Sequence, residues 1–395
     1  MYSISELATI AVTQLREKHI RPLGPYEKPV VVISNAYAGV WLEHCYDAIM
    51  WAKLEPDGMD IMKNTIRMFL RFQHEDGQLP CFVLDNRISY AHIQECVSFA
   101  RLCVEAYRLC EDRELLTECY GACSMWVEWL RANRMISGRG LVELFVGYDT
   151  GHDNSSRLHG LAYEGNCQGK NAADFPEDEQ VAPILAVDMN CNYYGTLCAL
   201  ADMADILGME STWREQASDV KKLIFSTLYD AEDAYFYDVD RYGNKRKYLS
   251  STILHLFLEH VLDPVADQEL IAEILRRHIF NPDEFWTKVP FPSMAVCDKS
   301  IEGHVSQNCW GYYSQALIAL RCTLWMDDYG LSQELDQLCR IWLDCWTNCF
   351  DDVKFGQELD PHTGMPTPCS EWYSSCMLFY VWAARRLGKC EDLSQ

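Results

Sequence analysis

Basic residues are scarce in this 395-residue chain, in which 34 Lys and Arg stand against 58 Asp and Glu. The formal net charge is −24 at pH 7. A surface of this sign repels phosphate backbones and anionic lipid headgroups. We therefore expect neither a nucleic acid nor a membrane as partner. A neutral small ligand, or one whose charge is met by a local basic group, agrees better with this composition.

Metal-binding, disulfide and membrane patterns are also missing. The 19 cysteines contain no C-x-x-C pair, and the 11 histidines form no H-E-x-x-H motif. The closest pairs, Cys119/Cys123 and Cys345/Cys349, are typical of small apolar residues on one helix face. No apolar run reaches about 18 residues, and the N-terminus lacks the apolar core of a secretory leader. The sequence predicts a cytoplasmic protein with reduced thiols and no metal or organic cofactor.

What the sequence does have is helical periodicity from end to end, with few strand signals. The N-terminal stretch reads as an amphipathic helix, and segments 30–34 and 142–148 are the main candidates for strands. Further helices are predicted at 58–74, 91–111, 115–134, 187–207, 212–228, 250–262, 267–278, 307–326, 332–347 and 371–387. Gly208, Gly330 and Gly388 follow three of them, as C-terminal caps do.

Paired helices of this kind form either an α-solenoid or a closed helical toroid. A solenoid would show a fixed repeat, and none is present. The chain also has no linker and no shift in composition, so we expect a single domain over residues 1–395. One connection, from about 147 to 183, is long and polar, and loops of that length are usually functional or disordered. Its aromatic and polar residues favour function.

The polar loop begins with GYDTGHDNSSR at 147–157, where Asp149 and Asp153 bracket Gly151. A polar turn rich in Asx caps would explain this pattern without any catalysis. A general acid is the alternative, because a neighbouring carboxylate or an apolar wall can keep a carboxyl group protonated near neutrality. Arg157 could fix the loop through a bidentate pair with a carboxylate.

Two further polar clusters adjoin predicted helices. VDMNCNYY at 187–194 places Asp188 and Asn190 at a helix start, which a cap alone explains. FGQELDPHTGMPTPCSEWYSS at 355–375 supplies Gln357 and Glu358 before a turn, then Glu371 at the start of the last helix. An acidic residue there is also favoured by the helix dipole.

Together these clusters resemble the (α/α)6-barrel glucosidases of glycoside hydrolase family 63 and their trehalase relatives. In size the chain is similar to compact bacterial members that act on mannosylglycerate or glucosylglycerate. The resemblance runs from about Tyr37 to about Arg386. It is carried by VWLEHCYDAIMWAKLEPD at 40–57, ISYAHIQECVSF at 88–99, DTGHDNSSR at 149–157, VDMNCNYY at 187–194, YDAEDAYFYDVD at 229–240, PDEFWTKVPFPS at 282–293, and DPHTG followed by EWYSS at 360–375.

The resemblance implies an all-α (α/α)6 barrel and an inverting, exo-acting α-glycosidase, foremost an α-glucosidase, on a small glucoside or mannoside such as a disaccharide or glucosylglycerate. Asp153 falls at its general acid. The partner implied is a small carbohydrate, and a homo-oligomer stays open. Substrate contacts are expected from Trp41, Glu43, Gln94, Asp149, Arg157, Asp188, Gln307, Trp310, Glu371 and Trp372. A glycerate carboxylate would need a basic clamp, for which Lys170 and Lys288 are candidates.

Two departures from the family pattern matter. The segment NCWGYYS at 308–314 lacks one family Trp, which alters the wall of the expected sugar pocket. The family's catalytic base, a Glu four residues before the turn proline, falls on Gln357, and an amide cannot accept a proton at neutral pH.

Three hypotheses follow from the amide. Glu358 is the base after a one-residue shift of the loop, or the chain carries an inactivating Glu→Gln change at 357, or the protein has no base. The second hypothesis would restore the family spacing. A protein without a base could be a phosphorylase, in which phosphate itself attacks, or a sugar-binding pseudoenzyme. A helical scaffold for protein partners is disfavoured by the lack of a repeat.

Overall fold

The computed structural model describes residues 2–161, 182–301 and 310–390, and this part of the chain is mostly helical. Its α-helices are α1 Ile4–Gln14, α2 Cys45–Leu54, α3 Gly58–Arg71, α4 Phe99–Cys110, α5 Arg113–Arg134, α6 Val187–Leu207, α7 Trp213–Leu228, α8 His255–Leu258, α9 Gln268–Ile274, α10 Ala316–Cys322, α11 Ser332–Cys349 and α12 Ser374–Arg386.

The even-numbered helices form an inner ring. Contacts run from α2 to α4, α6 and α8 in turn, and from α10 through α12 back to α2. Residues of α8 and α10 line one small cavity from two sides, which closes the ring. The odd-numbered helices pack outside, as α3 does on α2 and α7 on α6. This is an (α/α)6 barrel, so the predicted fold class is confirmed and the solenoid is excluded.

The sequence explains which helices lie inside. Every residue of α2 except Lys53 is buried, and every residue of α10 is buried, so neither has a polar face. The outer helix α11 instead buries one stripe at helical spacing, which includes Leu335, Leu338 and Trp342, and exposes the rest. Helices that are apolar all round belong in the interior, whereas amphipathic ones cover it.

Short antiparallel strands connect the helices at the ends of the barrel. They are β1 Ile20–Leu23, β2 Tyr26–Val31, β3 Gly39–Trp41, β4 Phe82–Leu84, β5 Ile88–Ser89, β6 Glu143–Leu144, β7 Ile184–Leu185, β8 Tyr229–Asp230, β9 Tyr235–Phe236, β10 Asp238–Val239, β11 Lys245–Arg246, β12 Ser314–Gln315 and β13 Glu358–Leu359. β3 pairs with β4 and β4 with β5; β6, β7, β10 and β11 form a four-stranded sheet. The predicted strands at 30–34 and 142–148 are thus only partly strands.

Several predicted helices begin later than expected. The predicted helix 91–111 begins at Phe99, because Asp149 accepts the N–H groups of Ile93 and Gln94 and Gln94 has φ of 55°. The helix predicted at 371–387 begins at Ser374, because Ser370 and Trp372 have φ of 47° and 56°. These left-handed residues cannot belong to an α-helix.

Other differences come from local geometry. The stretch 250–262 is a 3-10 turn followed by the short α8, and His260 with φ of 53° ends it. Within 310–326, the described part of the helix predicted at 307–326, α10 begins only at Ala316, because residues 314–315 pair with β13 instead. The N-terminal helix ends at Gln14 and passes through a π turn into β1. No helix in the described ranges is long and apolar enough to cross a membrane.

Gly195 lies in the middle of α6, where glycine costs about 1 kcal/mol relative to alanine. A methyl group at its Cα would lie 2.0 Å from Oε2 of the buried Glu259. That carboxylate is held by the backbone N–H of Ser98, at 2.9 Å from Oε1. The glycine is therefore required by the close approach of Glu259 to the helix.

Gly195→Ala should lower the free energy of unfolding by about 1–3 kcal/mol, because overpacking outweighs the gain in helix propensity. Gly121 in α5 is the matched control, since a methyl group there would meet nothing within 4 Å. Gly121→Ala should raise the free energy of unfolding by up to about 1 kcal/mol. Denaturant unfolding of both variants checks this, and stabilisation by both would contradict it.

Candidate active site

The segments that lead into the inner helices surround a cavity of about 270 Å³. Glu43 and His44 precede α2, Gln94 precedes α4, and Tyr373 precedes α12. Among the described residues, its lining is Ile33, Tyr37, Trp41, Glu43, His44, Phe82, Arg87, His92, Gln94, Tyr148, Gly151, Asp153, Trp310, Leu317, Gln357 and Tyr373. The cavity is bounded by aromatic side chains and by polar groups that converge from sequence-distant segments.

Asp153 places a carboxyl group in the cavity. Its side-chain Oδ1 is buried and has no hydrogen-bond partner in the part of the chain that the structure describes. Its backbone carbonyl accepts a hydrogen bond from the Trp310 N–H at 3.1 Å. Burial, with a smaller contribution from the Glu43 charge, raises the pKa of Asp153 to about 7. The group can therefore hold a proton near neutrality and donate it to a ligand atom.

Gly151 allows the loop that carries Asp153 to pass close to Cys96 and Glu43. Its φ of 74° lies in the left-handed region. A methyl group at this position would lie 2.8 Å from the Cys96 sulfur and 3.1 Å from Oε2 of Glu43. Both the backbone conformation and the available space thus require glycine here.

Gln357 directly precedes β13 and Glu358 begins it, and their side chains point in opposite directions. Gln357 lines the cavity, whereas Glu358 is fully buried away from it. Glu358 accepts hydrogen bonds from Gln315 at 3.0 Å and from Thr367 at 2.7 Å. Side chains of successive strand residues alternate between faces. Because β13 is held in register by Gln315 opposite Glu358, the amide of Gln357 occupies the cavity.

Glu43 is the other carboxyl group among the described residues that line the cavity, and it is engaged on both oxygens. Gln94 donates to Oε1 and Arg321 to Oε2, each at 3.0 Å. Burial raises the pKa of Glu43, and the Arg321 charge opposes that rise. The Gln94 carbonyl in turn accepts from His92 Nε2 at 2.6 Å. This chain of contacts orients Gln94 and Glu43 toward the cavity.

Comparison with known proteins shows which family the chain belongs to. Residues 39–310 match the family described as the mannosylglycerate hydrolase MGH1-like glycoside hydrolase domain. The chain belongs to this family of glycoside hydrolases. No curated protein sequence matches it. The protein is therefore a glycosidase, and its cavity is lined by the carboxyl group of Asp153 and the amide of Gln357.

Solved structures agree on the fold. The mannosylglycerate hydrolase of glycoside hydrolase family 63 from Thermus thermophilus, in complex with Tris, is 17% identical over 95% of this chain and 99% of its own, with a TM-score of 0.74. Its complex with glucose gives 16% identity over the same shares and a TM-score of 0.73. Neutral trehalase from Saccharomyces cerevisiae is 14% identical over 91% of this chain and 73% of its own, with a TM-score of 0.67.

Of the other predicted contacts in this glycosidase, Trp41 and Trp310 line the cavity. Trp41 packs on Phe82, with ring centroids 5.2 Å apart. Trp310 is buried and stacks on His152 at 4.0 Å. Flat apolar faces of this kind suit the C–H faces of a sugar.

Asp149, Arg157 and Asp188 do not line the cavity and hold its loops instead. Asp149 is fully buried and accepts from Arg134 and from the backbone N–H groups of Ile93, Phe145 and Val146. The Arg157 guanidinium lies between Asp188, at 2.5 Å, and Asp238, at 2.6 Å. Their carboxylates and the two terminal nitrogens of Arg157 are engaged with the protein, so these residues position the cavity rather than meet a ligand.

Glu371 and Trp372 also lie outside the cavity. Glu371 is exposed and accepts from the Lys354 N–H at 3.1 Å. Trp372 packs on Phe350 and Phe355, because its positive φ turns the chain before α12. Lys288 is exposed and donates to the Thr363 carbonyl at 2.6 Å. Gln307 and Lys170 lie outside the described residues.

Several cavity residues were missed from sequence. His44, His92 and Tyr373 each stand within two positions of a residue that was chosen, so the neighbouring motif was the available signal. His44 Nε2 lies 2.7 Å from the Tyr373 hydroxyl. Arg87 is exposed, at the cavity edge, with its guanidinium 5.1 Å above the Phe82 ring. Arg321 interrupts the apolar helix α10, and that interruption was its only signal.

The effect of Asp153→Asn on the free energy of unfolding should depend strongly on pH. The pKa of an aspartate in an unfolded chain is about 3.9, below the value of about 7 in the folded protein. The folded state binds more protons between these values, so the wild type loses stability as pH rises toward 7. The asparagine variant does not titrate there and avoids that loss. Its free energy of unfolding, relative to that of the wild type, should therefore increase between pH 5 and pH 8.

Denaturant unfolding at the two pH values measures this difference. Asp149→Asn serves as the control and should destabilise by about 3–5 kcal/mol at both pH values, because it leaves Arg134 buried without its partner. A pH-independent difference between Asp153→Asn and the wild type would contradict the assignment of the raised pKa.

Proposed function

We propose that this chain is an exo-acting α-glycosidase with inverting stereochemistry, in which Asp153 is the general acid. The observation that carries the proposal is the buried Oδ1 of Asp153, which has no partner among the described residues, in a cavity lined by Trp41 and Trp310. A protonated carboxyl group there would donate its proton to the glycosidic oxygen as the aglycone leaves. The raised pKa of about 7 supports this role at neutral pH.

The catalytic base is the incomplete part of this machinery. Inversion requires a second carboxylate roughly 6.5–9.5 Å from the acid, with water between them. Gln357 lines the cavity where the family resemblance expects that base. An amide cannot take a proton from water. We propose that position 357 is the base position and that the chain with Gln357 hydrolyses its substrate slowly.

The substrate class is a short α-linked glycoside cleaved at its terminal sugar. A cavity of about 270 Å³ is at the low end for small-molecule sites and suits one sugar ring with little more. Glucose and mannose both remain candidates for that ring. The family match is named for mannosylglycerate hydrolase, and one Thermus structure contains glucose, which supports either sugar.

Arg87 favours a substrate whose aglycone is anionic. No ion pair of Arg87 is found among the described residues, and its guanidinium lies over Phe82 at the cavity edge. A carboxylate such as that of glycerate would form charge-assisted hydrogen bonds with it. We propose Arg87, rather than Lys170 or Lys288, as the basic clamp.

Gln357→Glu should raise the rate of hydrolysis about 10²–10⁴-fold over the wild type, the range that general-base catalysis contributes. The wild type and the variant are assayed on α-glucosides and α-mannosides, including glucosylglycerate and mannosylglycerate, with the released anomer followed by proton NMR. The first-formed sugar should be the β-anomer. Asp153→Asn in the Gln357→Glu background should remove this activity.

Glu358→Gln is the matched control, because it changes the neighbouring carboxylate without altering its size. When Glu358→Gln is added to the Gln357→Glu variant, the rate of hydrolysis per folded molecule should stay close to that of the Gln357→Glu variant alone. Loss of wild-type turnover in Glu358→Gln, with the fold intact, would instead make Glu358 the base. An α-anomer as first product would contradict inversion.

A phosphorylase is the second candidate, and the amide of Gln357 is the observation that favours it. Inorganic phosphate is already anionic and needs no base to attack the anomeric carbon. Asp153 would still protonate the leaving oxygen, and the product would be a sugar 1-phosphate. Turnover by the wild type that requires phosphate would support this candidate, and equal turnover in phosphate-free buffer would exclude it.

Arg87→Gln should raise KM about tenfold or more for a glycoside with a carboxylate aglycone, because a hydrogen bond to a charged group contributes about 1.5–3 kcal/mol. The same variant should leave KM unchanged for the methyl glycoside of the same sugar. Both are measured in the Gln357→Glu background. Arg214→Gln, an exposed arginine of α7 outside the cavity lining, is the control and should change neither value. Equal losses on both substrates would contradict the clamp.

A further inference from the structure

A second, much smaller cavity lies directly behind Trp310. Its volume is about 20 Å³, and its polar lining comes from His152, Ser251, His255 and Arg321. About 10–15 Å³ is enough to hold one water molecule, so the space admits a single water or a monatomic ion. The proposed mechanism does not use this cavity.

Unpartnered hydrogen-bond donors converge on it. Buried atoms without a hydrogen-bond partner in the described chain include Arg321 Nε and Nη1, Ser251 Oγ and His152 Nε2. The three residues are at most 4% exposed. Buried polar groups are almost always paired, so several orphans on one cavity indicate a missing ligand.

The protonation of His152 follows from its other nitrogen. Arg157 Nη2 donates to His152 Nδ1 at 3.3 Å, so Nδ1 is the acceptor and Nε2 carries the hydrogen. His255 differs, because its Nδ1 lies 3.4 Å from the Asn192 carbonyl oxygen and must donate to it. Its Nε2 therefore has the lone pair. The cavity thus offers three N–H donors, two from Arg321 and one from His152, together with the Ser251 hydroxyl, which can donate or accept, and one imidazole acceptor.

The local field has the sign that attracts an anion. Burial, and then repulsion from the Arg157 and Arg321 guanidinium groups, holds the pKa of His152 well below its usual value. The same causes lower the pKa of His255. Each of the nearest acids is paired with an arginine, because Glu43 accepts from Arg321 and Asp188 accepts from Arg157. Asp188 Oδ2 also lies 3.6 Å from His152 Nδ1, on the side of the ring away from Nε2.

We propose that this cavity is a binding site for one chloride ion, held by Arg321, His152 and Ser251. Water is the simplest alternative, but one water molecule accepts only two hydrogen bonds, and three N–H donors line the cavity. A halide accepts from every donor at once. This site is distinct from the sugar cavity on the other side of Trp310.

The ion would connect two residues that shape the sugar cavity. His152 directly precedes Asp153 in the chain, and Arg321 holds Glu43 at 3.0 Å. Trp310 lies against both, stacked on His152 and 5.8 Å from the Arg321 guanidinium carbon. Loss of the ion should therefore lower the melting temperature and loosen the wall of the sugar cavity.

Crystals grown with bromide in place of chloride test the site directly. An anomalous difference peak between Arg321, His152 and Ser251 is the expected result. A water molecule with no anomalous signal in that position would overturn the proposal. Because this measurement needs no turnover, it is independent of whether the glycosidase proposal holds.

Thermal unfolding in solution gives the second measurement. The melting temperature should rise with chloride or bromide, at constant ionic strength made up with gluconate, which is too large for the cavity. Ser251→Ala should weaken the apparent halide affinity about tenfold, through loss of one charge-assisted hydrogen bond. Ser293→Ala is the matched control, because this buried serine donates to the Tyr313 carbonyl and does not line the cavity. Equal responses to chloride and gluconate, or equal halide affinity in Ser251→Ala, would contradict the site.

Discussion

The buried carboxylate of Asp149 is the contact on which the candidate site depends. It accepts from Arg134 at the end of α5 and from three backbone N–H groups, and its own carbonyl accepts from Gln94. One side chain therefore fixes the loop that carries Asp153 and the irregular segment that carries Gln94. A carboxylate with this many donors needs no solvent, which is why a loop so rich in polar groups can lie inside the barrel mouth.

The same principle recurs around the ring. Charged residues enter the interior in pairs or triads, as Arg157 does with Asp188 and Asp238, and Arg321 with Glu43. Such groups cost more to bury than a hydrophobic core would, so they add little to stability. What they provide is a single arrangement of the segments between helices. Asp153 differs, because its Oδ1 has no such partner in the part of the chain that the structure describes, and this is why we propose it as the group available for chemistry.

Periodicity could predict paired helices, and the lack of a repeat favoured a closed toroid, but the (α/α)6 barrel itself was implied by the family resemblance. The approach of Asp153 and Gln357 to one cavity could be inferred only through family resemblance, since 204 positions separate them in the chain. Which acid of the loop faces the cavity could not be predicted from the residues alone, although the resemblance implied Asp153. Asp149 and Asp153 look alike in sequence. Only the N–H groups around Asp149 show that it holds the loop in place, whereas the Oδ1 of Asp153 has no partner among the described residues. The sequence favours Trp372 as a cavity residue, but Tyr373 lines the cavity instead. The positive φ of Trp372 decides which of the two rings turns inward, and this angle could not be predicted from the sequence.

The opposite directions of Gln357 and Glu358, where the chain enters β13, have a consequence at the level of the gene. The pairing of β13 with β12 means that Glu358 cannot turn inward unless the strand slips by a residue, which would also unseat its bonds to Gln315 and Thr367. A carboxylate can enter the cavity from this strand only at position 357. Glutamine and glutamate codons differ there by a single base, C or G in the first place. If position 357 is the base position, as proposed, one nucleotide substitution separates a slow hydrolase from a fast one, and a lineage could pass between the two states in either direction without altering the fold.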